Sequence, residues 1–352
     1  MKLLFHCGLI FCAVSSVAEA FFDNNEVFGK NRQFIGVRVN EILEAKYPNL
    51  HLILVNPQNK SQTAAFTLQN LTTIYSNSWF NPTRNTVIYA FGFTKNIDDS
   101  LSQTILDAYV KRGGHNIIVI DWSAYNGVTV ADYPAAIENM KVIGELVGAR
   151  IAMTFRNFAT LRFHLVGHSL GAHLVAYINR GIPKSFLTPQ IPKIIGLDPA
   201  GPYMYNSSYN HHPLNASDAS TVLVIHTDMI AFGAPVKCGT IDFYPNGGGK
   251  TEVQPGCPPL DFVDQFVATN FCSHQMAVYY YAESVANKGT NAFAATKCLS
   301  YDDFVVGKCR SRSQQMGYNA REFMTGDFYL QTNKVAPFDR GSLGVTFSSS
   351  TA

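Results

Sequence analysis

Ser169 lies at the centre of Gly167–Gly171, which reads Gly-His-Ser-Leu-Gly and matches the pattern G-x-S-x-G. The mainly apolar residues before it, Phe163–Val166, predict a strand, and Leu170–Asn179 after it predicts a helix. Strand, G-x-S-x-G and helix in this order are typical of a nucleophile elbow, a strained turn that presents a serine hydroxyl at the carboxyl edge of a sheet. Such a serine attacks acyl carbons, and N–H groups at the start of the helix face the developing oxyanion. The alternative, a tight turn that merely holds a serine, is disfavoured by the flanking strand and helix.

A serine nucleophile needs a base and an acid, and in an α/β-hydrolase the chain order is serine, acid, histidine. Asp198 directly follows the apolar run Lys193–Leu197, so it is expected just beyond the next strand. His274 comes much later, in a helical segment. In this triad His274 takes and returns the proton of Ser169, while Asp198 fixes the imidazole tautomer and stabilises the imidazolium. By position alone, His274 is equally well explained as one of the structural histidines among the 10 in the chain.

The elements that must position these residues alternate along the chain. Apolar, β-branched runs predict strands at Val87–Phe91, Ile117–Asp121, Phe163–Val166, Lys193–Leu197 and Thr221–Ile225. Helical spacing predicts helices over Asp99–Arg112, Pro134–Ala149 and His274–Asn287. This alternation favours the α/β class, with a mainly parallel central sheet covered by helices on both faces. No linker is visible, so one domain is expected.

Composition excludes several classes of protein. The chain has 352 residues, of which 47% are hydrophobic, 12% aromatic and 15% charged, with a formal net charge of +2. Disorder requires low hydrophobicity and high net charge, and nucleic-acid binding requires a basic footprint, so neither is expected. The 17 Tyr and 25 Phe indicate a large core or a surface that meets something apolar.

The first twenty residues, MKLLFHCGLIFCAVSSVAEA, have the basic start, apolar run and A-x-A end of a secretory signal peptide. The apolar run is short for a bilayer span, which disfavours an uncleaved anchor, and no other stretch predicts a transmembrane segment. We therefore expect a secreted, extracellular protein whose mature domain covers residues 21–352. Four N-x-[ST] sequons agree with secretion, at Asn59, Asn70, Asn206 and Asn215.

Cysteine usage fits the same compartment. Of the 7 Cys, Cys7 and Cys12 leave with the signal peptide. The remaining five are Cys238, Cys257, Cys272, Cys298 and Cys309. An odd number in an oxidising compartment means at least one free or intermolecular thiol. Neither C-x-x-C nor H-E-x-x-H occurs, so no metal or other cofactor is predicted.

Four motifs in combination resemble the animal pancreatic-lipase family, and its insect members most of all, which are secreted neutral lipases and phospholipases A1. They are Gly167–His173, Gly196–Pro202, Asp242–Gly248 and Cys272–His274, and the similarity extends from about Asn85 to Pro337. The resemblance implies an α/β-hydrolase fold and the triad Ser169, Asp198 and His274.

The resemblance also implies an oxyanion hole formed by the backbone N–H groups of Phe93 and Leu170. The family's His-Gly pair before the first of these donors is replaced here by Phe91-Gly92. Because the donor belongs to the backbone, the hole can survive this change, although its shape is affected. The family's Asp-Trp pair is matched by Asp121-Trp122, which is interpreted as structural.

Two disulfides follow from the resemblance, Cys257–Cys272 closing a lid over the active site and Cys298–Cys309, which leaves Cys238 as the odd thiol. Apolar residues of the fourteen-residue lid fall at helical spacing, namely Leu260, Phe262, Val263, Phe266 and Val267. They predict an amphipathic flap that meets lipid, and the alternative is an ordinary surface helix. A short lid, together with a short Asp228–Asp242 segment, favours phospholipase A1 over triglyceride lipase activity in this family.

Two further departures limit what the resemblance implies. The family's calcium-site carboxylates fall near Asn210 and Asn215, and only Asp218 there is acidic, so calcium is not predicted. Too few residues follow Pro337 to form a C-terminal lipid-binding β-sandwich domain, so colipase partnering is not implied.

The expected function is that of a secreted serine carboxylic-ester hydrolase. It would cleave acyl esters of lipids, either at the sn-1 position of phospholipids or in neutral glycerides, at a membrane or droplet surface. The alternative is a weak or inactive lipid-binding protein of the yolk-storage type, because insect yolk proteins resemble this family and have lost the serine. An intact Ser169 argues against that alternative, and Phe91 keeps it open.

Overall fold

A computed structural model describes residues 42–155, 162–183, 191–206, 211–259, 262–264, 267–268, 270–289, 292–309 and 312–349. The predicted signal peptide lies outside these residues. The chain divides into two units, Met1–Lys46 and Tyr47–Ala352, and every element named below belongs to the second.

The strands of the described residues carry the framework. They are β1 His51–Asn56, β2 Asn59–Phe66, β3 Asn85–Ala90, β4 His115–Asp121, β5 Phe163–His168, β6 Lys193–Leu197, β7 Thr221–Ile225, β8 Ile241–Pro245, β9 Phe262–Asp264, β10 Val267–Ala268, β11 Ala294–Lys297, β12 Ser313–Gln315 and β13 Gly326–Leu330. All but β9 and β10 form one sheet in the order β12-β11-β13-β8-β7-β6-β5-β3-β4-β1-β2. Pairing is parallel from β4 through β3, β5, β6, β7 and β8 to β13, and antiparallel at both edges.

The helices follow the strands they connect. They are α1 Ser100–Arg112, α2 Tyr133–Thr154, α3 Leu170–Gly181, α4 Cys272–Ala286 and α5 Tyr301–Val305. At the start of α1, the Asp99 carboxylate accepts the N–H of Leu101 at 3.0 Å, and Gly113 ends the helix with φ 71°. None of the helices in the described part of the chain has the length and apolar character needed to cross a bilayer.

Both faces of the central sheet are covered. Neighbouring residues of a strand point to opposite faces. In β5 the Phe163 ring packs at 5.1 Å from that of Phe155, directly after α2, while Nε2 of the next residue, His164, lies 2.7 Å from the Tyr109 hydroxyl of α1. Because α1 packs on α4 and α2 on α3, a helix pair lies on each face. The predicted fold class, α/β with a mainly parallel sheet, is confirmed.

The predicted bounds of α2 are too short at the C-terminal end. Helical spacing predicts Pro134–Ala149, whereas the helix continues to Thr154. Ile151 and Ala152 remain buried, so the apolar face extends one turn further, and no glycine or proline stands between Ala149 and Phe155.

The helix predicted between Cys257 and Cys272 is wrong. In the described part of this segment, the backbone forms the antiparallel strands β9 and β10, with Val267 opposite Asp264. The Cys257–Cys272 disulfide holds the two ends of the segment at a Cα–Cα distance of 5.6 Å. A helix advances by about 1.5 Å per residue and would carry these ends apart, whereas a hairpin returns the chain to its starting point. The side chains of the predicted apolar face lie outside the described residues.

Candidate active site

Ser169 occupies a strained turn between β5 and α3. Its φ is 57° and its ψ is −126°, backbone angles that residues other than glycine rarely adopt. The flanking glycines are required by close packing, since a Cβ at Gly167 would strike the backbone of Gly171, and one at Gly171 would strike the carbonyl of Ala90. The elbow predicted from the sequence pattern thus has the corresponding backbone geometry.

Asp198 leaves the sheet beside Ser169. His168 and Leu197, the last residues of β5 and β6, lie opposite each other in parallel register, and the Ser169 N–H donates to the Leu197 carbonyl at 3.1 Å. The Asp198 carboxylate is fully buried. Its Oδ1 accepts the backbone N–H groups of Thr227 at 2.8 Å and Asp228 at 3.1 Å, which fixes the orientation of the carboxylate.

The second carboxylate oxygen of Asp198 reaches His274. Asp198 Oδ2 lies 2.6 Å from His274 Nδ1, which fits a bond donated by the imidazole N–H. His274 is the third residue of α4, and its backbone carbonyl accepts the Nε2–H of His168 at 3.1 Å. Burial lowers the pKa of His168 well below its usual value, as does the nearby His274, so His168 is neutral at physiological pH. The structure therefore brings together the acid and the histidine predicted from chain order.

The two predicted oxyanion donors belong to segments that meet at Ser169. Leu170 is the first residue of α3, so its N–H is one of those that have no partner within the helix. Gly92, the residue before Phe93, lies so close that a Cβ there would be 2.8 Å from the Ser169 Cβ and 3.3 Å from its Oγ. Glycine is needed at position 92 for this approach.

Asp228 is a buried carboxylate beside the triad that sequence reasoning missed. It is 1% exposed, and one of its carboxylate oxygens lies within 4.8 Å of a carboxylate oxygen of Asp198 and of a ring nitrogen of His274. Burial, followed by the charge of Asp198, raises the pKa of Asp228 to about 7, although the amides of Ala231 and Phe232 act against that rise. Neither carboxylate oxygen forms a hydrogen bond of normal geometry to the described residues. The available signal was its place three residues after β7, at the edge where Asp198 follows β6.

Exposed apolar side chains flank the site on two sides. Next to the histidine, Phe271 is 51% exposed and stacks on Phe232 at 4.2 Å, with its ring 6.5 Å from that of His274. Near Phe93, one of the two predicted oxyanion donors, Val128 is exposed. It directly follows Gly127, which packs against the Phe93 ring. Exposed apolar patches around a site are typical of surfaces that meet lipid or another apolar partner.

Two disulfides are present, Cys257–Cys272 and Cys298–Cys309, and such bonds fit an oxidising compartment. The first bond is anchored two residues before His274, so it fixes the start of the helix that carries the histidine. Cys238 is free and only 7% exposed, which hinders an intermolecular disulfide.

Within the described residues, one group of metal-type side chains lies outside the triad, namely His226, Cys238 and Asp242. The His226 Nε2 lies 2.8 Å from Asp242 Oδ1, which also accepts the N–H groups of Cys238 and Gly239. Burial raises the pKa of the Cys238 thiol, as does the Asp242 charge, so the thiolate that a metal requires is disfavoured. These residues serve as a hydrogen-bond network.

Asp218, the acidic residue near the positions compared above with a calcium site, forms an ion pair with Arg180. The Arg180 guanidinium donates to both carboxylate oxygens of Asp218 at 2.7 Å, and to the carbonyls of His212 and Pro213 at 2.7 and 2.9 Å. Arg180 thus supplies the positive charge on this loop. Asn215 is exposed, and Asn210 lies outside the described residues.

His173, in the same motif as Ser169, makes the fold sensitive to acid. Its Nδ1 accepts the Leu214 N–H at 2.9 Å and its Nε2–H donates to the Ala200 carbonyl at 2.8 Å, so both nitrogens are committed in the neutral form. Burial lowers the pKa of His173 to about 4. As the pH falls below about 6.5, His173 becomes protonated in the unfolded chain but stays neutral in the folded protein. The free energy of unfolding therefore decreases down to about pH 4.

We expect His173 to account for a loss of about 2–3 kcal/mol in the free energy of unfolding between pH 7 and pH 4.5. His173→Gln can keep both hydrogen bonds and cannot titrate. Urea unfolding at the two pH values should therefore show wild type losing more stability than the variant by that amount. An equal loss in both proteins would contradict the assignment.

Comparison with known proteins identifies the relatives of this chain. Residues 18–338 match the family model described as Lipase. The chain is 30% identical over 323 residues to human pancreatic lipase-related protein 3 and 30% identical over 312 residues to rabbit pancreatic triacylglycerol lipase. These alignments cover 83% and 81% of this chain, but only 65% and 63% of the relatives, so the chain spans less than two thirds of their length.

A further relative is mouse inactive pancreatic lipase-related protein 1, which is 28% identical over 387 aligned positions that cover all of this chain and 78% of that protein. The name of that relative describes it as inactive, so similarity to these proteins does not by itself establish catalysis. The match to the family model covers most of the sequence and both segments that carry the acid and the histidine. The chain belongs to the Lipase family.

Proposed function

We propose that this chain is a lipid carboxylic-ester hydrolase in which Ser169 is the nucleophile, His274 the base and Asp198 the orienting acid. The observation that carries the proposal is the 2.6 Å contact between the Asp198 carboxylate and His274, made at the sheet edge where the strained Ser169 turn leaves the neighbouring strand. Family membership supports an activity on lipid esters.

The proposed reaction has two acyl-transfer steps. The Ser169 Oγ attacks the ester carbonyl carbon while His274 Nε2 takes the hydroxyl proton, and Asp198 stabilises the imidazolium. The N–H groups of Phe93 and Leu170 receive the oxyanion. Collapse breaks the ester C–O bond, and His274 returns the proton to the leaving alcohol, a lysophospholipid or a partial glyceride. Water then attacks the acyl-enzyme by the same route and releases the fatty acid.

The exposed apolar residues around the site support a lipid substrate presented at a surface. Phe271 on the histidine side and Val128 on the oxyanion side would contact the lipid layer, while the ester enters between them. The fourteen-residue disulfide loop favours phospholipids over triglycerides, because short lids accompany phospholipase A1 activity in this family. The disulfides and the signal-like residues 1–20 support secretion, with a mature domain at residues 21–352.

Fatty-acid release by the purified protein tests this function. Phosphatidylcholine vesicles, a triolein emulsion and a soluble short-chain ester are assayed in parallel, with Ser169→Ala as the control. We expect release from the lipid substrates that is lost in the variant, together with covalent labelling of wild type by a fluorophosphonate. The ranking of the vesicles against the emulsion decides between phospholipase and neutral lipase.

A second candidate function, lipid binding or storage without catalysis, is favoured by Phe91 in place of the family's histidine and by the inactive relative. It predicts that folded protein binds vesicles but releases no fatty acid and resists the fluorophosphonate. A labelled Ser169 together with release from any of the three substrates would exclude this candidate.

A further inference from the structure

The backbone peptide between Gly92 and Phe93 is fixed by a hydrogen bond from the buried side chain of Asn126. Asn126, which is 1% exposed, donates from Nδ2 to the Gly92 carbonyl at 2.9 Å and to the Lys95 carbonyl at 2.7 Å. Both hydrogens of the side-chain amide are therefore used within the loop that follows β3. No motif or periodicity in the sequence singles out this asparagine.

The bond to Gly92 has a directional consequence. The carbonyl of Gly92 and the N–H of Phe93 belong to the same peptide unit, and in a trans peptide these two groups point in opposite directions. Fixing the carbonyl toward Asn126 therefore fixes the N–H of Phe93 away from Asn126. Since the Cα of Gly92 lies against Ser169, this peptide is held within the immediate surroundings of the nucleophile.

Other contacts between the same two segments restrict movement of the loop. The Trp122 indole N–H donates to the Phe91 carbonyl at 3.0 Å, and the Thr94 N–H donates to the Asn126 carbonyl at 3.4 Å. The side chain of Phe91 is buried and has no polar atom, so it cannot orient the backbone by a hydrogen bond of its own. The segment that follows β4 thus holds the loop after β3 in place through these hydrogen bonds.

We propose that Asn126 is a positioning residue that preorganises the oxyanion hole by locking the Gly92–Phe93 peptide. The inference rests on the proposed hydrolase function. Without the Asn126 amide, the Gly92 carbonyl keeps only the longer bond from the Lys95 N–H, at 3.4 Å, and the Lys95 carbonyl loses the Asn126 donor. The peptide then gains freedom to rotate, which removes the Phe93 N–H from the place of the oxyanion. Loss of one oxyanion donor typically costs about 10²–10³ in kcat, so partial misorientation should cost about 10- to 100-fold.

The test compares Asn126→Ala and the isosteric Asn126→Asp with a matched control, Asn139→Ala. Asn139 also donates from Nδ2 to a backbone carbonyl of this segment, that of Tyr125 at 3.0 Å, but it does not hold the oxyanion loop. The assay uses a soluble short-chain ester, so lipid binding does not enter. Rates are expressed per fluorophosphonate-titrated site, and each variant's thermal unfolding is recorded.

We expect both Asn126 variants to lose about 10- to 100-fold in kcat with KM within about twofold, because the oxyanion forms only in the transition state. A trifluoromethyl ketone, which forms an oxyanion adduct, should bind more weakly by a similar factor. Asn139→Ala should stay within about threefold of wild type. A rise in KM at constant kcat, or equal losses at Asn126 and Asn139, would overturn the proposal. An inactive, unlabelled wild type would instead overturn the hydrolase function and this inference with it.

Discussion

The substitution Asp198→Asn is expected to lower kcat on a soluble ester by about 10⁴-fold while the fold is retained. The reason lies in the contacts that orient this side chain. Asp198 Oδ1 accepts two backbone N–H groups, from Thr227 and Asp228. In the Asp198→Asn variant the amide oxygen must take this place, because an NH₂ group there would face two donors.

The amide NH₂ of the variant would then occupy the position of Oδ2, 2.6 Å from His274 Nδ1. A donor at this point forces Nδ1 to accept, which places the imidazole proton on Nε2. In that tautomer Nε2 cannot take the proton of Ser169, so the substitution removes the base without removing the histidine. Single-turnover acylation by a chromogenic ester, with thermal unfolding as the check on folding, measures the effect.

Asp228→Asn is the matched control for this prediction. Asp228 lies within 4.8 Å of the same groups but forms no hydrogen bond of normal geometry to the described residues. Its amide substitute therefore leaves the His274 tautomer unchanged, and activity should stay within about tenfold of wild type. A comparable loss in both variants would show that the charge near His274, rather than the bond to Asp198, is what matters.

Two of the three residues of the proposed triad are predictable because their signals are local. The elbow needs glycines in contact with backbone, and those glycines stand in the sequence at fixed offsets from Ser169. Asp198 was predictable because it directly follows an apolar run that forms a parallel strand. The choice of His274 among 10 histidines came from the family resemblance, since nothing in its own neighbourhood distinguishes it.

Other features depend on contacts between distant segments and were not predictable in this way. The lid segment has the spacing of an amphipathic helix, yet the disulfide that joins its ends favours a hairpin, so a long-range constraint overrode the local pattern. Asn126 and Gly92 are 34 residues apart, and only the folded sheet brings the side-chain amide to the carbonyl. Polar residues in loops carry no periodicity that would reveal such a bond.

Gly233 shows how such a distant contact can control the proposed triad. Its Cα lies against the Asp198 carboxylate, and a Cβ at this position would be 2.6 Å from each carboxylate oxygen. The backbone of Gly233 has little freedom to yield, because it forms an isolated bridge with Ala200 and its N–H donates to the Asp228 carbonyl at 2.7 Å. The carboxylate must therefore move instead.

Gly233→Ala is accordingly expected to lower kcat by about 10³-fold, between the roughly 10²-fold cost of a 1 Å misplacement and the roughly 10⁴-fold cost of losing the orienting acid. Gly289→Ala is the control, since among the described residues its added methyl meets only the Asn287 side chain. Hydrolysis of the soluble ester and the rate of fluorophosphonate labelling should fall together in the first variant and remain normal in the second. A folded Gly233→Ala protein with wild-type kcat would show that the Asp198 carboxylate can shift without releasing His274.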